Sequence, residues 1–188
     1  AANLDLIAAA TTGVVTVTIS DGAVAATLAA IANVDANDVI TFTTTDTSAD
    51  ASDLVALDAK VDTFTTTTVV TITEGAASIG TDAATVLAAL VIAPGAAVTI
   101  TGAISAANLD LIAAATTGVV TVTLDPATAL SDATVTVLAN VDASDVITLA
   151  STAVTADASA LVTLNTLADT KSFDNVVTIT EGAASIGT

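Results

Sequence analysis

With 188 residues and 53% hydrophobic content, the chain is long enough for one domain or two small ones with a continuous core. Its 20 carboxylates stand against only Lys60 and Lys171, and the net charge of -18 excludes phosphate neutralisation, repelling nucleic acid and anionic bilayers alike. The absence of cysteine removes both a disulfide framework and a thiolate metal site, and three aromatics, Phe42, Phe64 and Phe173, leave a core of Ala, Val, Leu and Ile.

The chain opens on AANLDLIAAATTGVVTVT, Ala1 to Thr18, which reads as a helix stopped at Gly13 and followed by a strand from Val14. Asp21 is placed to start a second helix, whose Val24, Leu28 and Ile31 share a face. The turn N-V-D-A-x-D-V, with Asn33, Asp35 and Asp38, leads to a strand at Val39. Asp50 precedes the helical set Leu54, Leu57 and Val61, and a strand follows at Val69 with Glu74-Gly75 as its closing turn. Asp82 marks another helix start. From Ala83 to Leu109 there is no charge for 27 residues, but Pro94-Gly95 interrupts the run and Val98 to Thr101 alternates like a strand, which argues against a membrane span. Ser105 starts the next helix, with Gly118 as its stop and a strand at Val119. Ser131 and Asp157 start two more, the latter with Leu161, Leu164 and Ala168 on one face. Strands at Val146 and Val176 complete the series, and Glu181-Gly182 repeats the closing turn.

Two long identities organise these elements. The opening 18 residues recur at Ala106 to Thr123, 105 positions on, and VVTITEGAASIGT occurs at Val69 to Thr81 and at Val176 to Thr188, 107 positions apart. The two added residues fall in the turn where Ser20 to Asn33 becomes Asp125 to Asn140. Residues 1–105 therefore read as a first complete repeat unit of four coils and 106–188 as a second, incomplete unit of three. Strand cores recur at steps of 25, 30, 28, 22, 27 and 30 residues. That spacing predicts a right-handed α/β solenoid of about seven strand-turn-helix coils of 22–30 residues with one parallel sheet, leucine-rich-repeat-like. An all-β parallel β-helix is the alternative. The N-terminus shows no Met and no charged leader, and a start inside a repeat suggests a piece of something longer.

Within each strand one parity is apolar and the other is threonine. Stacked coils would then align an outer-face ladder of Thr16, Thr18, Thr41, Thr43, Thr71, Thr73, Thr99, Thr101, Thr121, Thr123, Thr148, Thr178 and Thr180. Such Thr-x-Thr rows resemble the ice-binding faces of insect and bacterial antifreeze solenoids, which implies ice binding as the alternative function. Threonine also simply suits the pleat.

Enzymatic chemistry is not expected, since there is no His or Cys for a base or nucleophile, no phosphate loop, and few aromatics for a sugar platform. Among the acids, Asp46, Asp53 and Asp58 become Ala153, Ala160 and Asn165 in the second copy and read as solvated surface. Asp35 and Asp38 do recur, as Asp142 and Asp145, and these four are the candidate calcium ligands, calcium being the one cofactor their oxygens suggest. The competing reading is that they form turns by bonding nearby amides, with no cofactor.

As a whole, the Ala/Thr/Asp/Val-rich text with its AANLDLIAAATTGVVTVT and VVTITEGAASIGT units is similar to the tandem-repeat regions of giant secreted or cell-surface proteins of bacteria, notably marine cyanobacteria. The resemblance implies an extracellular or cell-surface location, further repeats, and a structural role in a coat, fibre or adhesin stalk, with a calcium-stiffened adhesin as a variant. The partners expected are further copies of the same repeat, in cis or end to end. Neither nucleic acid nor membrane insertion is expected.

Overall fold

The computed structural model describes residues 2–79 and 83–181. In chain order these form α1 (Ala2–Ala10), β1 (Thr16–Gly22), α2 (Val24–Ala29), β2 (Val39–Thr44), β3 (Ser48–Asp50), α3 (Ala51–Asp58), β4 (Thr63–Thr65), β5 (Thr71–Gly75) and α4 (Ala76–Ile79). There follow α5 (Ala84–Ile92), β6 (Ala97–Ile104), α6 (Ala106–Ala115), β7 (Val120–Leu124), α7 (Asp132–Val137), β8 (Val146–Ala150), β9 (Thr155–Asp157), α8 (Ala158–Leu167), β10 (Thr170–Ser172) and β11 (Thr178–Thr180). The expected start at Asp82 and the turn at Gly182 lie outside the described residues.

The one-sheet solenoid is overturned. The strands belong to three separate parallel sheets, of three, six and two strands, in a mixed α/β fold with eight helices among the described residues. Those helices equally rule out the all-β alternative. The physical cause lies in β3, β4, β9 and β10, each three residues long. Segments so short carry no period-2 signal, and they intervene between the longer cores, so that β2 pairs with β4 and β5 with β3 instead of β2 with β5.

Two compact units are present, Ala1–Glu74 with Ala84–Ala96, and Gly75–Ala83 with Ala97–Thr188. In the first, the three-stranded sheet runs in the order β1-β2-β4, and Phe42 lies beside Phe64 in register. Their rings meet at 5.2 Å between centroids, tilted by 50°. Phe42 is fully buried, as are Ile31, Ile40, Leu54, Leu57 and Ile72, the bulk of this unit's core. A Cβ at Gly22 would come within 2.5 Å of the Phe42 ring, so this strand end tolerates no side chain. Helix α3 packs between α2 and α5.

In the second unit β6, β7, β8 and β10 follow one another in parallel, with Val98 beside Val120, Thr123 beside Thr148, and Thr148 beside Thr170. Strand β9 pairs with β11. Helix α6 packs on β6, β7 and α7, which buries Leu109 and Ile112, while Val98, Leu124, Ile147, Leu149 and Leu164 complete the interior. The uncharged run divides into α5, a turn with Gly95 at φ 77°, β6 and the start of α6. No helix among the described residues is long and apolar enough to cross a membrane.

Helix starts divide by position. Asp50 accepts from the Ser52 and Asp53 amides, Ser105 from Asn108 and Ser131 from Thr134, the geometry of N-caps. Asp21 does not cap: it sits at φ 58°, inside the irregularity where β1 slips against β2 between Ile19 and Gly22. Asp157 makes no cap bond to α8 and accepts instead from the Asp132 amide and the Thr180 hydroxyl. Gly13 and Gly118 are not left-handed stops either. Each donates its amide to the hydroxyl two residues back, Thr11 or Thr116, at 2.9 Å.

Candidate functional site

The recurring acids are brought to the strand starts. Asp38 is buried, and its Oδ1 accepts from the Val15 amide at 2.9 Å while Oδ2 accepts from the Asp35 amide at 3.2 Å. Asp145 is likewise buried and repeats the pattern, Oδ1 to the Val120 amide at 2.8 Å and Oδ2 to Asp142 at 3.1 Å. Asp35 and Asp142 are exposed and turn onto the amides of Asn37 and Ser144. One carboxylate of each pair thus ties two distant segments, and the other closes a local turn. Both oxygens of Asp38 and Asp145, and one each of Asp35 and Asp142, are engaged with main-chain amides, and no group of three or more metal-binding side chains converges among the described residues.

The same device recurs along the chain. Asp5 receives both the amide and the side-chain amide of Asn33, and Asp110 does the same for Asn140. Asp62 accepts from the Ile40 amide and Asp169 from Ile147, at 2.8 and 2.9 Å. Asp46, read as solvated surface, accepts from the Val24 amide at 2.7 Å. These bonds join residues 22 to 30 positions apart. Sequence reasoning found the Asn-Asp-Asp set by its duplication but missed Asp5, Asp62, Asp110 and Asp169. A signal existed, since each recurs in the second copy.

Asp53 belongs to a different setting. Burial raises its pKa from the ordinary 3.8, and the charges of Asp50 and Glu74 raise it further. Glu74 is itself buried and accepts from the Ser52 hydroxyl at 2.5 Å. Both cations also serve the main chain. Lys60 reaches the carbonyls of Ile31, Ala32 and Val34 beyond α2, and Lys171 those of Asn165 and Ala168 at the end of α8.

The threonines do not form one ladder. The row Thr18, Thr41, Thr63 crosses three strands and Thr43 adjoins Thr65, two members on β4 that the sequence did not reveal. Thr16 lies beside Val39, Thr71 beside Ser48, Thr73 beside Asp50, Thr178 beside Thr155, and Thr180 beside Asp157. Thr99 adjoins Thr121, which then meets Val146, and Thr101 is bypassed where the register slips to Ala103 opposite Thr123. Gly102, at φ 103°, takes the turn of that slip. Only Thr16, Thr18, Thr101, Thr178 and Thr180 of the thirteen are exposed. The rest are half-buried.

An open groove of about 490 Å³ is lined by Ser105, Asp125, Ser131, Thr134 and neighbouring alanines. Its polar groups are engaged in turn and cap bonds, Asp125 with the Ala127 amide and Ser131 with Thr134. Comparison with protein-family models, curated proteins and solved structures returns no match.

Proposed function

We propose that the chain is a non-enzymatic structural segment of a large secreted or cell-surface protein, built to be repeated and to associate with further copies in cis or end to end. In this reading it takes no cofactor, and Asp35, Asp38, Asp142 and Asp145 are fasteners. The observation that carries it is the duplicated carboxylate clamp: Asp38 with Val15 in one copy, Asp145 with Val120 in the other. Side chains that an enzyme would hold ready for substrate are here spent on joining one segment of main chain to the next, twice over. Charge-assisted bonds of this kind contribute about 1.5 to 3 kcal/mol each, and a net charge of -18 keeps such chains from indiscriminate contact.

Fractionation of the producing cells, with an antibody against this chain, tests the reading. The expected signal is a polypeptide much longer than 188 residues, in the surface or medium fraction and cleaved by protease added to intact cells. A compact cytosolic protein of this length would overturn it.

A further inference from the structure

Lys60 donates to three carbonyls at once, those of Ile31, Ala32 and Val34, at 3.4, 3.5 and 3.4 Å. Three neutral oxygens held around one ammonium form a cradle for a single positive charge. Asp35, Asp38 and Asp62 line the hollow of about 160 Å³ beside Lys60, so the cradle lies in a negative field.

The second copy repeats the cradle and omits the lysine. Leu138, Ala139 and Val141 stand for Ile31, Ala32 and Val34, and Leu167 stands for Lys60. The turn keeps its shape, the Val141 amide donating to the Leu138 carbonyl at 3.3 Å as Val34 does to Ile31. Asp110 holds both amides of Asn140 as Asp5 holds those of Asn33, and Asp145 accepts from Asp142 as Asp38 does from Asp35. The segment bearing position 167 is seated alike too, since Asp169 both donates to and accepts from Ile147 as Asp62 does with Ile40. Asp142, Asp145 and Asp169 thus take the places of the three acids, with no ammonium at position 167 to offset them. Lys171, the one other lysine, is engaged with the Asn165 and Ala168 carbonyls. Among the described residues no hydrogen bond reaches the Ala139 or Val141 carbonyl.

We infer that the turn Leu138 to Val141 binds a monovalent cation of ammonium or potassium size, which does there what the Lys60 ammonium does in the first copy. The charge of the ligand follows from the donors. A divalent ion such as calcium takes carboxylate oxygens as direct ligands, and both oxygens of Asp145 are committed to the Val120 and Asp142 amides. Carbonyl dipoles suffice to replace the hydration shell of a potassium-sized ion, with the acids supplying charge from the next layer. The ion is a structural counter-ion drawn from the surrounding salt. Its binding goes beyond the reading of the chain as a structural segment and does not depend on where that segment resides.

Thermal unfolding of the full chain in ~0.2 M potassium, ammonium or tetramethylammonium chloride holds screening constant and varies the size of the cation. Potassium and ammonium should each raise the midpoint by about 3 degrees over tetramethylammonium, by binding the folded state. Leu167→Lys, which tethers an ammonium at the cradle, should remove that difference, and Leu167→Met should keep it. Lys60→Met, which opens the first cradle to solvent ions, should lower the midpoint in tetramethylammonium and increase the gain from potassium about twofold. In the unaltered chain, potassium titration should move the carbonyl carbon resonances of Leu138, Ala139 and Val141 to saturation. Those of Ile31, Ala32 and Val34 should move only in Lys60→Met. Equal midpoints in the three salts, carbonyl resonances that drift without saturating, a potassium gain undiminished in Leu167→Lys, or a larger response to calcium than to potassium would overturn the site.

Discussion

Ile7 and Ile112 occupy the seventh place of an identical string of 18 residues, yet one is half exposed and the other fully buried. Further along each copy, Asp38 and Asp145 do the same thing twice, down to the oxygen that accepts each amide. The contrast separates two kinds of interaction. A clamp needs only its own strand start and a turn one segment on, both on the C-terminal side of the duplicated helix, whereas burial of Ile112 needs β6, a strand on that helix's N-terminal side. Polar fastening is therefore a property of the unit and apolar burial a property of its surroundings.

The sharpest break in that comparison is at the isoleucines. Ile112→Ala should lower the unfolding free energy by about 3 kcal/mol or more, through lost transfer energy and the cavity left behind. Ile7→Ala should stay within about 0.5 kcal/mol in dilute solution. Equal losses in urea titrations would show that α1 and α6 are equivalently packed. Next come the clamps. Asp145→Ala removes two charge-assisted bonds, one of them to a buried amide, and should cost about 3 kcal/mol, while Asp38→Ala, whose Val15 amide is only part-buried, should cost about half of that. Matching losses would mean that exposure around Val15 does not weaken the bond.

A smaller effect separates Asp53 from its counterpart Ala160. A carboxyl whose folded pKa is raised holds its proton more tightly when folded, so its contribution to stability is present below the ordinary 3.8 and lost as the pH rises through the folded value. At pH 7 the charge therefore opposes folding. Asp53→Ala should raise the melting temperature slightly at pH 7, with the gain vanishing below about pH 3.8, and a gain that persists in acid would assign the effect to packing or helix propensity instead. The smallest expectation concerns calcium. Because both oxygens of Asp38 and Asp145, and one each of Asp35 and Asp142, are engaged with amides, saturating calcium should leave the melting temperature within about two degrees of the chelated sample. A bound ligand at a hundred times its Kd would add ~2.7 kcal/mol, so a large rise would make these acids a metal site.

What the sequence determined by itself is local. The strand cores at Val39, Ala97 and Val146, the helices around Leu54 and Leu164, and the caps at Asp50, Ser105 and Ser131 follow from apolar period and from oxygens placed before an apolar run, interactions that reach a few residues along the chain. The duplication also marked Asp38 and Asp145 in advance as a matched pair. Tertiary structure decided the rest. Three-residue strands such as Thr63–Thr65 exist because Phe64 finds Phe42 across the sheet, and no segment so short specifies its own pairing. Those strands split the expected single sheet into three and broke the threonine ladder into short rows. Strand order depends on which apolar surfaces meet, an energy shared between distant segments and recorded in neither alone.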